Sequence, residues 1–120
     1  LVSILLVDDS DYIKDMLKII LTSAGHDVVG EATNAEEAVN QYKKLRPDIV
    51  LLDIVLKQKD AADTGIDALK EILTFDSDAK IIVLSALNQK SLINKSIQLG
   101  AKGFIAKPFE PEKLLETVTV

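Results

Sequence analysis

The sequence predicts an α/β fold: a five-stranded parallel sheet in the order 2-1-3-4-5, with five helices over both faces. Three observations carry this. Apolar runs that suit strands alternate five times with stretches of helical periodicity. Such alternation gives a mainly parallel sheet covered by helices on both sides and joined by right-handed crossovers. The runs Ile4-Leu5-Leu6-Val7 and Ile49-Val50-Leu51-Leu52 contain no polar position, as in strands buried on both faces. The second strand, Val28-Val29, is short and is followed only by Glu31-Ala32-Thr33, which makes it an edge and favours that order.

The first strand is Ile4 to Val7, stopped by Asp8-Asp9. Ser10 or Asp9 suits the cap of the next helix, whose stripe is Ile13, Met16, Leu17, Ile20 and Leu21 and whose end is Gly25. After Val28-Val29, Asn34 with Glu37 three residues on forms a capping pair. Helix two buries Ala38, Val39, Tyr42 and Leu45 and stops at Arg46-Pro47, because a residue before proline disfavours the helical region. Strand three runs from Pro47-Asp48 into the apolar run and ends at Asp53. A polar stretch follows, then helix three with Ile66, Leu69, Ile72 and Leu73. Strand four is Lys80 to Leu84, ending at Ser85. Helix four, around Gln89 to Leu99, carries Leu92, Ile93 and Ile97 inward and closes at Gly100. Gly103 to Ala106 is strand five, ending at Lys107-Pro108. Pro111 suits the first turn of helix five, which buries Leu114, Leu115 and Val118.

At 120 residues, with no repeat and no internal linker, the chain reads as one domain over 1–120. There is no cysteine and one histidine, which excludes a structural zinc site. His26, after Gly25 at a helix exit, reads as a surface residue. A net charge of −5 with dispersed acids argues against nucleic-acid binding by this domain itself. Leu1 to Val7 is too short to span a membrane and lacks the basic flank of a signal peptide. The glycines show no P-loop or dinucleotide spacing.

Parallel strands place their carboxyl ends on one edge, where open α/β sheets bind ligands. Asp8, Asp9, Asp53, Ser85 and Lys107 all fall there. Taken singly, each has a plain structural reading: the paired acids as a helix cap, Asp53 and Ser85 as turn residues, Lys107 as a solvated surface cation. Together they suit phosphoryl chemistry. Mg²⁺ takes one or two carboxylates plus water and phosphate oxygens. Asp53 can act as a nucleophile that forms an aspartyl phosphate. Ser85 offers a hydroxyl, and Lys107 a compact cation for phosphoryl oxygens.

The motifs Leu6-Val7-Asp8-Asp9-Ser10, Leu52-Asp53, Leu84-Ser85-Ala86 and Lys107-Pro108-Phe109, in this order and spacing, resemble the receiver domain of two-component response regulators. The resemblance covers nearly the whole chain and is closest to the single-domain, chemotaxis-type members, with their flavodoxin-like fold. It implies that Asp53 takes a phosphoryl group from a phosphohistidine on a sensor histidine kinase. It implies that Asp9, Asp53 and the Val55 carbonyl ligate Mg²⁺, that Asp8 acts through water, and that Ser85 and Lys107 hold the phosphoryl oxygens. Phe104 takes the place of the family's aromatic switch, so the face of helix four, strand five and helix five would change for a downstream effector or a fused output domain. The domain would be a cytoplasmic phosphoacceptor that catalyses its own phosphotransfer and dephosphorylation, not a turnover enzyme. Val55 and Leu87, both apolar, would flank attacking water and slow hydrolysis.

The sequence departs from the family pattern after Asp53. Leu56-Lys57 replaces a Met-Pro pair, and Gly65 lies twelve residues after Asp53. The segment Leu56–Thr64 is therefore longer by about four residues, which is either a surface elaboration or a segment whose Lys57 and Lys59 act beside the site. Two rival functions differ by feature. An aspartate-dependent phosphatase of the haloacid dehalogenase type needs a second Asp two residues on, where Val55 stands. A pseudo-receiver that only binds partners usually lacks one of the acids or the lysine, and this chain keeps them all.

Overall fold

The computed structural model describes residues 1–56, 64–86 and 88–119. Lys57 and Lys59, and Leu87, whose expected role was to shield the site from water, lie outside the described residues. The strands are β1 (Ser3–Val7), β2 (Asp27–Ala32), β3 (Ile49–Asp53), β4 (Ile81–Ala86) and β5 (Gly103–Lys107). The helices are α1 (Asp11–Ser23), α2 (Ala35–Leu45), α3 (Thr64–Phe75), α4 (Lys90–Leu99) and α5 (Pro111–Thr119). All strand pairs are parallel, and the order is β2-β1-β3-β4-β5, as predicted.

Side chains alternate across a strand, so each buried run feeds two cores. Leu5, Val7, Val50, Leu52, Ile81 and Val83 pack with Val39 and Tyr42 of α2 and with Ile66, Leu69 and Ile72 of α3. On the other face, Ile4, Leu6, Ile49, Leu51, Ile82 and Leu84 pack with Leu17 and Leu21 of α1 and with Leu114 and Val118 of α5. Every residue of central β3 is buried, which is why no polar position interrupts its run.

The caps follow the sequence closely. Ser10 Oγ accepts from Ile13 N at the start of α1. Asn34 Oδ1 accepts from Glu37 N, and Glu37 Oε1 accepts from Thr33 N, one residue earlier than a standard capping box would have it. Arg46 ends α2 in the left-handed region with φ of 47°.

Four expectations are corrected. Strand two is six residues long, because Gly30, Glu31 and Ala32 pair with Leu5, Leu6 and Val7. Ser85 lies inside β4, not past it. Ile97 does not face the core; it is 42 % exposed, while Ser96 is buried with its hydroxyl donated to the Leu92 carbonyl. Helix rotation decides this: Leu92 and Ile93 dock, and the next inward position is Ser96, one residue before Ile97. His26 is also not a surface residue. It is 6 % exposed, and its Nδ1 accepts from Val2 N, just before β1, at 3.3 Å.

Gly65 sets how closely the start of α3 approaches the end of β3. A Cβ at Gly65 would lie 2.1 Å from the Ile54 carbonyl oxygen and 2.6 Å from that of Asp53. The first turn of α3 therefore rests directly on the backbone that leaves β3, an approach only glycine permits.

Candidate functional site: an acidic edge with one lysine

Asp8 follows β1 directly, and its N–H donates to the Ala32 carbonyl at 3.1 Å, which prolongs the β1–β2 pairing. Its Oδ1 accepts from Ser10 N at 2.9 Å, so the residue that caps α1 also fixes this carboxylate. Asp53 is the last residue of β3, and its Oδ1 accepts from Val55 N at 3.1 Å. Each carboxylate thus has one oxygen held by the backbone and one turned to Lys107. Lys107 Nζ lies 3.0 Å from Asp8 Oδ2 and 3.3 Å from Asp53 Oδ2. Two strand spacings of about 4.8 Å separate β5 from β3, so only a long side chain crosses the end of β4.

Asp8, Asp9 and Asp53 each offer an oxygen within 4.8 Å of the others, with Asp8 and Asp53 buried and Asp9 half-buried. Burial pushes the Asp53 carboxyl up to about 6, Lys107 opposes this, and Asp8 adds to it. Burial would lower the Lys107 ammonium, but Asp53 and Asp8 outweigh it and hold the group above its ordinary value. Lys107 is therefore a firm cation that neutralises only part of the acidic charge. A largely buried set of hard oxygen donors with surplus negative charge fits Mg²⁺.

Ser85 is buried one strand from Asp53, but its hydroxyl lies 2.9 Å from Gln89 Oε1. Register puts Asp53 beside Leu84 and Ser85 beside Ala106, so Ser85 belongs to the alternate face of the sheet. Phe104, in register with Val83, shares that face, and its ring is 45 % exposed at the edge strand. The predicted residues thus separate into two groups. Asp8, Asp9 and Asp53 are in mutual reach, with Lys107 against Asp8 and Asp53 and Val55 contributing its N–H; Ser85 faces Gln89, and Phe104 faces outward.

Sequence reasoning missed Gln89, whose contact depends on how the chain turns after β4 and leaves no spacing signal. It also missed Lys14, which is 5 % exposed on α1 with Nζ 3.1 Å from Thr33 Oγ1 beyond the end of β2. A lysine within an apolar helical stripe was the only sign, and stripes often carry such residues at their margin.

The family profile described as the response regulator receiver domain matches residues 4–119. A chemotaxis protein CheY of Thermotoga maritima is 49% identical over 115 residues, covering 96% of this chain and 92% of that protein. A chemotaxis protein CheY of Bacillus subtilis is 45% identical, with the same coverage of 96% and 92%. Among solved structures, the CheX-CheY-BeF3-Mg²⁺ complex from Borrelia burgdorferi superposes with a TM-score of 0.88 at 37% identity, covering 98% of this chain and 89% of that one.

Proposed function

The chain belongs to the response regulator receiver domain family, and from that premise we propose that Asp53 is the residue through which it acts as a phosphoacceptor. The phosphoacceptor signalling role is that of the family, whose members work with histidine kinases and downstream effectors and are not turnover enzymes. One observation carries the assignment of Asp53. It is the carboxylate at the end of the central strand, and it has Lys107 and two further carboxylates around it. A phosphatase or a pseudo-receiver is not favoured, since position 55 is Val and the acidic set with its lysine is complete.

In the proposed step an Asp53 carboxylate oxygen attacks the phosphorus of a phosphohistidine. A P–O bond forms, the P–N bond breaks, and the imidazole leaves with the electron pair and then takes a proton from water. The donor chemistry fits Mg²⁺ held by Asp9, Asp53 and the Val55 carbonyl, with Asp8 acting through water. When bound, the ion supplies positive charge for the phosphoryl oxygens. Lys107 then gives up its contact with Asp53 Oδ2 and serves a phosphoryl oxygen instead. Ser85 turns its hydroxyl to another. Phe104 follows into the space Ser85 leaves, which changes the α4-β5-α5 face for an effector or an output domain. The charge added is nearly two negative units.

No helix among the described residues is long and apolar enough to cross a membrane. We place the domain in the cytoplasm, where kinases of this class phosphorylate their partners, and assign it no nucleic acid, in keeping with a net charge of −5. The test is incubation with a small phosphodonor and Mg²⁺. Mass spectrometry should show one added phosphoryl group, absent in Asp53→Asn. Undiminished labelling of that variant would reject the assignment.

A further inference from the structure

We propose that Gln89 is a latch on the Ser85 hydroxyl. It holds that group's single proton toward the start of α4 in the resting domain and must release it before Ser85 can bond a phosphoryl oxygen. The inference rests on the reading of Asp53 as phosphoryl acceptor and extends it to a residue outside the acidic edge.

The carboxamide of Gln89 reaches back across the end of β4. Its Oε1 accepts from Ser85 Oγ at 2.9 Å and from Ala86 N at 3.2 Å. The backbone donor settles which way the amide faces, because an N–H can meet only its carbonyl oxygen. In return, Gln89 N donates to the Ala86 carbonyl at 3.1 Å. The Gln89 carbonyl then accepts from Ile93 N at 3.0 Å as the first of α4. Its side chain makes no capping bond to that helix. Gln89 is thus a joint: its carbonyl opens α4, and its side chain is committed to the strand before it.

Ser85 is 1 % exposed, so its hydroxyl relies on protein partners. A hydroxyl has one proton and two lone pairs. Two acceptors compete for the Ser85 proton, Gln89 Oε1 at 2.9 Å and the Ala86 carbonyl at 3.1 Å. Phosphoryl oxygens are acceptors only. Ser85 can therefore serve one only by taking its proton from Gln89, which then keeps Ala86 N as its partner in the pair. The resting arrangement is favoured by about one hydrogen bond, and phosphoryl binding has to outweigh it, a shift between two populations. Because Gln89 opens α4, the release is felt at that helix.

Gln89→Met keeps the side-chain length and removes the acceptor, whereas Gln89→Glu keeps an acceptor for both donors. Beryllofluoride with Mg²⁺ serves as the phosphoryl mimic, titrated into the full chain. Gln89→Met should bind it about three- to tenfold more tightly than the parent. In the unliganded protein the Ala86 amide should exchange faster in Gln89→Met and stay protected in Gln89→Glu. In a Ser85→Ala background, Gln89→Met should leave beryllofluoride affinity unchanged, since there is no proton to hold. Equal affinity of Gln89→Met and parent would overturn the latch, and so would the same tightening in the Ser85→Ala background. Failure of the parent to bind beryllofluoride at Asp53 would strike instead at the phosphoacceptor reading, and Ala86 exchange, measured without ligand, would still report on the latch.

Discussion

At Asp53 burial and charge oppose each other, and burial wins. The carboxyl rises from 3.8 to about 6, first through burial and then through Asp8, against the pull of Lys107. The folded state therefore binds this proton more tightly than the unfolded chain. Its contribution to stability is full below pH 3.8 and is lost as pH rises through about 6. Denaturant unfolding without Mg²⁺ should show Asp53→Asn to be about 1–3 kcal/mol more stable than the parent at pH 7, with the difference shrinking toward pH 4. Added Mg²⁺ should stabilise the parent and not the variant. Lys107 sits against the same two carboxylates at 3.0 and 3.3 Å. Lys107→Met should therefore bind Mg²⁺ more tightly by calorimetry, because a competing cation is gone, while holding beryllofluoride less well. Equal Mg²⁺ affinity would show that the ammonium and the ion do not compete.

Between β3 and α3, Gly65 lets the first turn of the helix rest on the backbone that leaves the strand. The Ile54 carbonyl leaves no room for a Cβ at Gly65, at 2.1 Å. Gly65→Ala should cost more than about 2 kcal/mol and loosen Asp53, since the strained backbone is the one that leaves β3. Thermal unfolding checks the first part, and beryllofluoride affinity the second. Helix α4 offers a second check on element packing. Ile93 is 7 % exposed and Ile97 is 42 % exposed. Ile93→Ala should cost about 2–4 kcal/mol, whereas Ile97→Lys should stay within about 0.5 kcal/mol. Periodicity could not separate these two positions, because the stripe of α4 is narrow and holds the buried Ser96.

On the scale of the whole molecule, Tyr42–Asp76 and Ser3–Asp48 are clasps among the described residues that lie away from the acidic edge. Tyr42 of α2 donates its hydroxyl to Asp76, just past α3, at 2.8 Å. Burial and then this bond push the Tyr42 hydroxyl up to about 12, and the same bond holds Asp76 below the usual carboxylate range. Tyr42→Phe should cost about 1 kcal/mol in denaturant unfolding, with phosphorylation rate unchanged. Ser3 and Asp48 exchange bonds at the opposite end of β1 and β3, at 2.8 and 2.9 Å. The conformational response we propose is placed in β4, β5 and the start of α4, around Ser85, Phe104 and Gln89.

The sequence by itself determined the sheet order, the buried central strands, the cap at Asn34 and the acids at the strand ends, and left Ser10 and Asp9 as alternatives for the cap of α1. These follow from local rules: period, capping chemistry, and the parallel geometry that gathers strand ends on one edge. It also carried the family, because the spacing of the motifs survives without coordinates. Tertiary structure decided the rest. Lys107 reaches Asp8 from a residue 99 positions away, over the ends of two intervening strands, β4 and β3. Whether His26 is covered depends on where Val2 runs, and whether Ile97 faces inward depends on how far α4 is rotated against the sheet. The direction of the Ser85 hydroxyl depends on a glutamine four residues on, across a turn. Each of these is settled by which surfaces meet after the chain has closed on itself, and no period or local propensity encodes that meeting.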